Sequence, residues 1–156
     1  MSTDDVGRAA HKAYAKACNN TAYELLDKRD RSPAEIETMI DMAHAARYHW
    51  AEAGGTATNQ VRADYLCSRV YAFAGRSEPA MHHAHQAMAQ AEALGLGDFD
   101  LAFAHEGLAR ALACAGDSEG ARREIEIARS IPIADSEDKA IVAAELAKGP
   151  WYGVTA

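Results

Sequence analysis

Proline is scarce in this 156-residue chain, with four residues, and the eleven glycines leave few places where regular backbone must break. β-Branched residues are sparse, and no stretch alternates apolar with polar at period two, so a sheet is excluded as the organising element. No apolar run approaches the ~18 residues of a membrane span. The N-terminal MSTDDVGRAA also lacks the charged-then-apolar layout of a signal peptide. The three cysteines (Cys18, Cys67, Cys114) are odd in number and form no CxxC. They read as reduced thiols, which suits a cytoplasmic location. Basic residues are outnumbered 16 to 23, a net charge of −7, which argues against a nucleic-acid face. There is no GxSxG, P-loop or GxGxxG, and Gly95–Asp100 offers two glycines without a basic residue, a poor phosphate cradle. No enzyme activity and no cofactor are expected.

What is abundant is alanine, within 49% apolar and 25% charged residues. Alanine loses no side-chain entropy in a helix, so the protein is expected to be all-α. Its length fits one domain spanning 1–156. Ser32-Pro33-Ala34-Glu35 is a capping box with proline at the first helical position, and Ser77-Glu78-Pro79 repeats the serine-then-proline start. Gly54-Gly55 and Gly95-Leu96-Gly97 stop helices. Asp100, Ser118, and Asp135 or Ser136 serve as further N-caps. Seven helices follow, at about 4–28, 33–53, 58–74, 78–94, 100–115, 118–130 and 136–147, antiparallel to their neighbours because the connections are short.

The sequence also resembles itself. At an offset of 41, residues 59–80 align with 100–121, pairing Arg69 with Arg110, Gly75 with Gly116, Ser77 with Ser118 and Glu78 with Glu119. Ala80 and Ala87 fall on Ala121 and Ala128, and Gly54 falls on Gly95. Two helices per ~41 residues at a fixed offset are the pattern of an α-solenoid. Small residues at Ala80, Ala87, Ala121 and Ala128 let paired helices approach closely.

These units resemble the tetratricopeptide repeat family. Tyr71, Ala80 and Ala87 match its pattern in one unit, and Leu108-Ala109, Leu112, Ala121, Ile125 and Ala128 in the next. The family's tryptophan position holds Asp64 and then His105, a departure. The resemblance implies repeats over 33–132, a degenerate first layer at 4–30, and a C-terminal cap at 135–156 in which Trp151 and Tyr152 cover the last repeat. It further implies a concave groove, lined by first helices, that binds a protein or peptide. The groove candidates are Lys28, Arg62, Leu66, Arg69, Phe73, Phe103 and Arg110; Arg69 and Arg110 are repeat equivalents, and the same offset backwards reaches Lys28. Such a cation ladder suits an acidic segment or the C-terminus of a partner. Internal pairing is the alternative, because Glu106 precedes Arg110 by four residues in the favoured orientation.

Other chemistry is weaker. His82 and His85 lie three apart with Glu78 four before His82, but His44 shares the repeat position of His85 on a solvated face, and no metal site is expected. Cys67 and Cys114 read as small buried hydrophobes, not nucleophiles. The second helix of 100–130 pairs Glu119 with Arg123 and Arg122 with Glu126, a salt-bridged face rather than a DNA reader. Two rival functions stay open: a small-molecule-binding helical protein or enzyme with its site in the groove, and a homo-oligomer whose GPWYGV tail fills a neighbour's groove.

Overall fold

The structure, a computed structural model, describes residues 1–155. Among these it holds helices and no strand: α1 (Thr3–Asp27), α2 (Pro33–Glu52), α3 (Ala57–Phe73), α4 (Ser77–Ala93), α5 (Asp98–Cys114), α6 (Ser118–Ser130) and α7 (Ser136–Ala147). No described helix is long and apolar enough to cross a membrane.

The helix ends have local causes. Ser32 and Glu35 form the expected capping box, and Ser2 with Asp5 forms another at the head of α1. Asp135 caps α7. Three starts differ from the sequence reading. Asp117, not Ser118, caps α6, because its carboxylate reaches the Gly120 amide at 2.8 Å. α4 begins at Ser77 behind Arg76, and α5 begins at Asp98 behind Gly97, which leaves Ser77 and Asp100 inside their helices. At the other ends the aligned glycines have a conformational reason. Gly75 and Gly116 have φ of +75° and +87°, a region open to glycine at little cost. The following amides, of Arg76 and Asp117, reach back to the Tyr71 and Leu112 carbonyls at 2.9 Å, the Schellman closure. The 41-residue offset is therefore a repeat of helix stops as well as of packing faces.

Consecutive helices pack in pairs: α1 with α2, α3 with α4, α5 with α6. The odd helices also touch one another, α1 on α3, α3 on α5, and α5 on α7. Ala80, Ala87, Ala121 and Ala128 are buried where the pairs meet. Gly107 sets the approach of α5 to α3, since a Cβ there would lie 2.9 Å from Tyr65 Cδ2. α7 has no paired helix. The backbone after it turns back across the row: Trp151 Nε1 donates to the Leu146 carbonyl (3.1 Å), Tyr152 donates to the Ala72 carbonyl, and Val154 is buried. Arg122 donates to the Thr155 carbonyl instead of pairing with Glu126, whose partner is Arg129. The GPWYGV segment thus lies against its own molecule.

Candidate functional site

Arg69 on α3 and Arg110 on α5 stand at the same repeat position, and neither faces open solvent. They are 2% and 0% exposed. Between them lies Glu106, also 0% exposed, whose Oε1 accepts from Arg110 Nε (2.7 Å) and whose Oε2 accepts from the Tyr65 hydroxyl (2.7 Å). Arg69 Nη1 donates to the same Tyr65 oxygen at 2.6 Å, and its Nη2 pairs with Glu145 of α7. Arg110 then reaches beyond its own layer: its guanidinium donates to the carbonyls of Glu145 (3.0 Å), Lys148 (3.0 Å) and Pro150 (3.2 Å). It also stacks over the Trp151 ring, 4.1 Å from the centroid. Those carbonyls lie at the C-terminal end of α7 and its exit, where helix carbonyls attract cations, and the Glu145 carbonyl also accepts from the Lys148 amide at 3.1 Å. The two arginines therefore clamp α7 and the tail onto the row of odd helices.

Charge balance in this network is set by opposing effects. Burial pushes the Glu106 carboxyl up, but Arg110 and Arg69 outweigh it and hold it below its ordinary value of 4.5. Burial also works against the Arg69 charge, and the Tyr65 oxygen, Glu106 and Glu145 overcome it, so the guanidinium stays cationic. A carboxylate whose folded-state pKa is depressed contributes stability above its unfolded value and loses it as pH falls. The thermal midpoint is thus expected to fall as pH drops below about 4.5, the unfolded value for glutamate. Glu106→Gln should flatten that acid limb while lowering the midpoint at neutral pH. An unchanged acid limb in the variant would remove Glu106 from this role.

Next to the clamp is a cavity of about 300 Å³, at the small end of the usual range for ligand sites. Its apolar walls include Val61, Tyr65, Phe99, Phe103 and Ile141, and Asn19 and Tyr23 of α1 close one side. Phe103 packs edge-on against Tyr65 and Phe99, with centroids 5.2 and 4.6 Å apart. The charged lining is already paired. Arg62 holds Asp100 in a fork at 2.8 and 3.1 Å, and Arg69 holds Glu145. The Nε of Arg69 is buried without a hydrogen-bond partner among the described residues and is closed to a water-sized molecule.

No family model, curated protein or solved structure matches this protein. The chemistry of the site rests on its own side chains.

The residues expected in one groove part company. Arg62, Arg69 and Phe103 line the cavity. Lys28 and Phe73 line a separate cleft between the end of α1 and the tail, where Lys28 pairs with Glu35. Phe73 lies beneath three guanidiniums, those of Arg31, Arg69 and Arg110, at 5.6, 5.1 and 5.1 Å from its centroid. Leu66 is buried in a core cluster with Leu26, Met39 and Ile40. Arg110 is sealed under Trp151. A three-layer cation ladder open to solvent is therefore not what forms: α7 and the tail occupy the face of Arg69 and Arg110, and Lys28 stands at a helix end beyond them.

Residues absent from the sequence expectation complete the site. Tyr23, Glu145 and Ile141 come from the first and last helices, 76 residues from Arg69 in the case of Glu145. Asp64 and His105, 41 residues apart, each have a partner on the paired helix. Asp64 Oδ1 accepts from His83 Nδ1 (3.0 Å) on the paired helix, and His105 Nδ1 meets Glu124 Oε2 (2.6 Å) on its own. Both partners are 41 residues apart, so acid and imidazole have exchanged places between layers. Beside Asp64, the side chains of His44, Cys67 and His83 converge, a group able to hold a metal ion.

Proposed function

We propose that this protein is a non-enzymatic binding module, a tetratricopeptide-like stack of helix pairs, whose ligand enters the cavity between α1, α3, α5 and α7. The observation that carries the reading is a cavity walled by aromatic side chains, with the polar side chains of Asn19 and Tyr23 among its lining. An amide and a phenol hydroxyl both donate, so they can meet a ligand acceptor oxygen, while the walls favour an apolar body. The ligand class is a small aryl or alkyl molecule bearing a carboxylate or carbonyl. Two features favour this over an extended acidic peptide: α7 and the tail already cover Arg110, and the charged lining is neutralised in pairs.

Ile141 sits at the cavity rim and is 48% exposed, so Ile141→Trp should obstruct the entrance without disturbing the core. Thermal midpoints would be measured across aryl and alkyl carboxylates, their amides and the parent hydrocarbons. A ligand at a hundredfold excess over Kd stabilises by about 2.7 kcal/mol. The expected outcome is a midpoint rise for the oxygen-bearing members that Ile141→Trp abolishes. Equal binding by the variant, or by the hydrocarbons, would contradict the reading.

A further inference from the structure

The cluster beside Asp64 shares no residue with the cavity and is held by three helices, of which α3 alone also walls the cavity. His44 comes from α2, Cys67 from α3 and His83 from α4. One ring nitrogen of each histidine and the Cys67 sulfur lie within 4.8 Å of one another. We propose that His44, Cys67 and His83 form a zinc site, with the fourth position left to solvent.

The surroundings are those of a supported site. Asp64 is wholly buried and forms an ion pair with Arg47. Arg47 Nε and Gln90 Nε2 hold its two oxygens at 2.8 and 2.9 Å. A carboxylate only accepts, so the proton on the His83 ring resides on Nδ1, and Nε2 keeps a free lone pair. A carboxylate that fixes the tautomer and orientation of an imidazole in this way is the usual outer support of a metal-bound histidine. His44 Nε2 is engaged by the Tyr71 hydroxyl at 2.9 Å, which leaves its Nδ1. Each imidazole therefore has one nitrogen anchored by a protein oxygen and one available.

The ligand set fits the ion. Zinc takes thiolate and imidazole at about 2.3 and 2.0 Å, so ligand atoms at tetrahedral angles lie about 3.3–3.6 Å apart. From at most 4.8 Å, the ligand atoms close by at most about 1.2–1.5 Å to reach those separations, a movement side-chain rotations can supply. His44 keeps partial exposure at the rim, which gives the ion a way in. Burial and, to a smaller extent, His83 disfavour the protonated form of His44. Burial pushes the Cys67 thiol up to about 12. It is therefore inert as a free nucleophile, and the zinc–sulfur bond forms as the thiol proton leaves to buffer. The exposed His82 and His85 are not part of the cluster.

The test uses reduced full-length protein freed of metal and titrated with Co²⁺ alone. The expected result is one ion per molecule, four-coordinate visible bands, a near-ultraviolet thiolate-to-cobalt charge-transfer band, and displacement of all of these by Zn²⁺. Cys67→Ser should remove the charge-transfer band. Asp64→Asn should keep it while weakening affinity about 10–100-fold. His82→Ala with His85→Ala should change neither. X-ray absorption of the zinc-loaded wild type should show one sulfur and two imidazole nitrogens, a measurement independent of whether any variant folds. Nitrogen and oxygen neighbours only, no charge-transfer band, or binding lost in the His82/His85 variant would overturn the site and leave adventitious surface binding.

Discussion

Arg110→Ala is expected to lower the stability of the protein by about 3–5 kcal/mol, the range for removing one partner of a buried ion pair. The cost has three sources on one side chain. Glu106, with no exposed surface, loses its bonded cation. The carbonyls of Lys148 and Pro150 lose their side-chain donor, that of Glu145 loses one of two donors, and Trp151 loses the guanidinium on its face. Arg110→Lys should recover only a minor part, because a single ammonium cannot reproduce a planar fork that serves a carboxylate and three carbonyls at once. Equilibrium denaturation read by circular dichroism gives the number. A loss under about 1 kcal/mol would place Arg110 among exposed pairs, which contribute about 0–1 kcal/mol, and would contradict the clamp.

Trp151→Ala is expected to cost about 2–4 kcal/mol, below the full range for a wholly buried tryptophan because the residue is only half-buried. Its ring lies on Arg110 and against the main core cluster, and its Nε1 ties the tail to the end of α7. The loss should overlap with that of Arg110→Ala. Residues in direct contact give non-additive effects of about 0.5–3 kcal/mol, so the double variant should be less destabilised than the sum of the singles. An unfolding midpoint equal to wild type would mean that the tail is free of the row.

What the sequence makes legible depends on the range over which each signal acts. Capping serines, glycine stops and alanine faces act within a few residues or recur at the 41-residue offset, and they locate all seven helices to within about two residues. The shared cationic position of Arg69 and Arg110 is legible in the same way. Their burial is not, because the groups that seal them come from a helix and tail outside the repeat. Glu145 and the carbonyls after it carry no pattern that points back to α3 and α5. Lys28 extends the offset but not the geometry, since it is the C-cap of α1 and turns to Glu35. Cys67 is legible as a buried thiol. Its neighbours are not, because the offset pairs His44 with His85, whereas the side chain that reaches the cluster is His83, two residues earlier and on another face of α4.

Both the covering of the arginines and the cavity beside them depend on α7 and the tail being held in the folded row by Arg69 and Arg110. Hydrogen exchange across residues 136–155, compared with α5 in the same molecule, reads this directly. The expected result is slow exchange in α7 on the scale of α5 in the wild type, and selective loss of protection in α7 and the tail in Arg110→Ala while α3–α6 stay protected. Fast exchange of α7 in the wild type, at the rate of an isolated twelve-residue helix, would show the arginines to be uncovered and contradict the clamp.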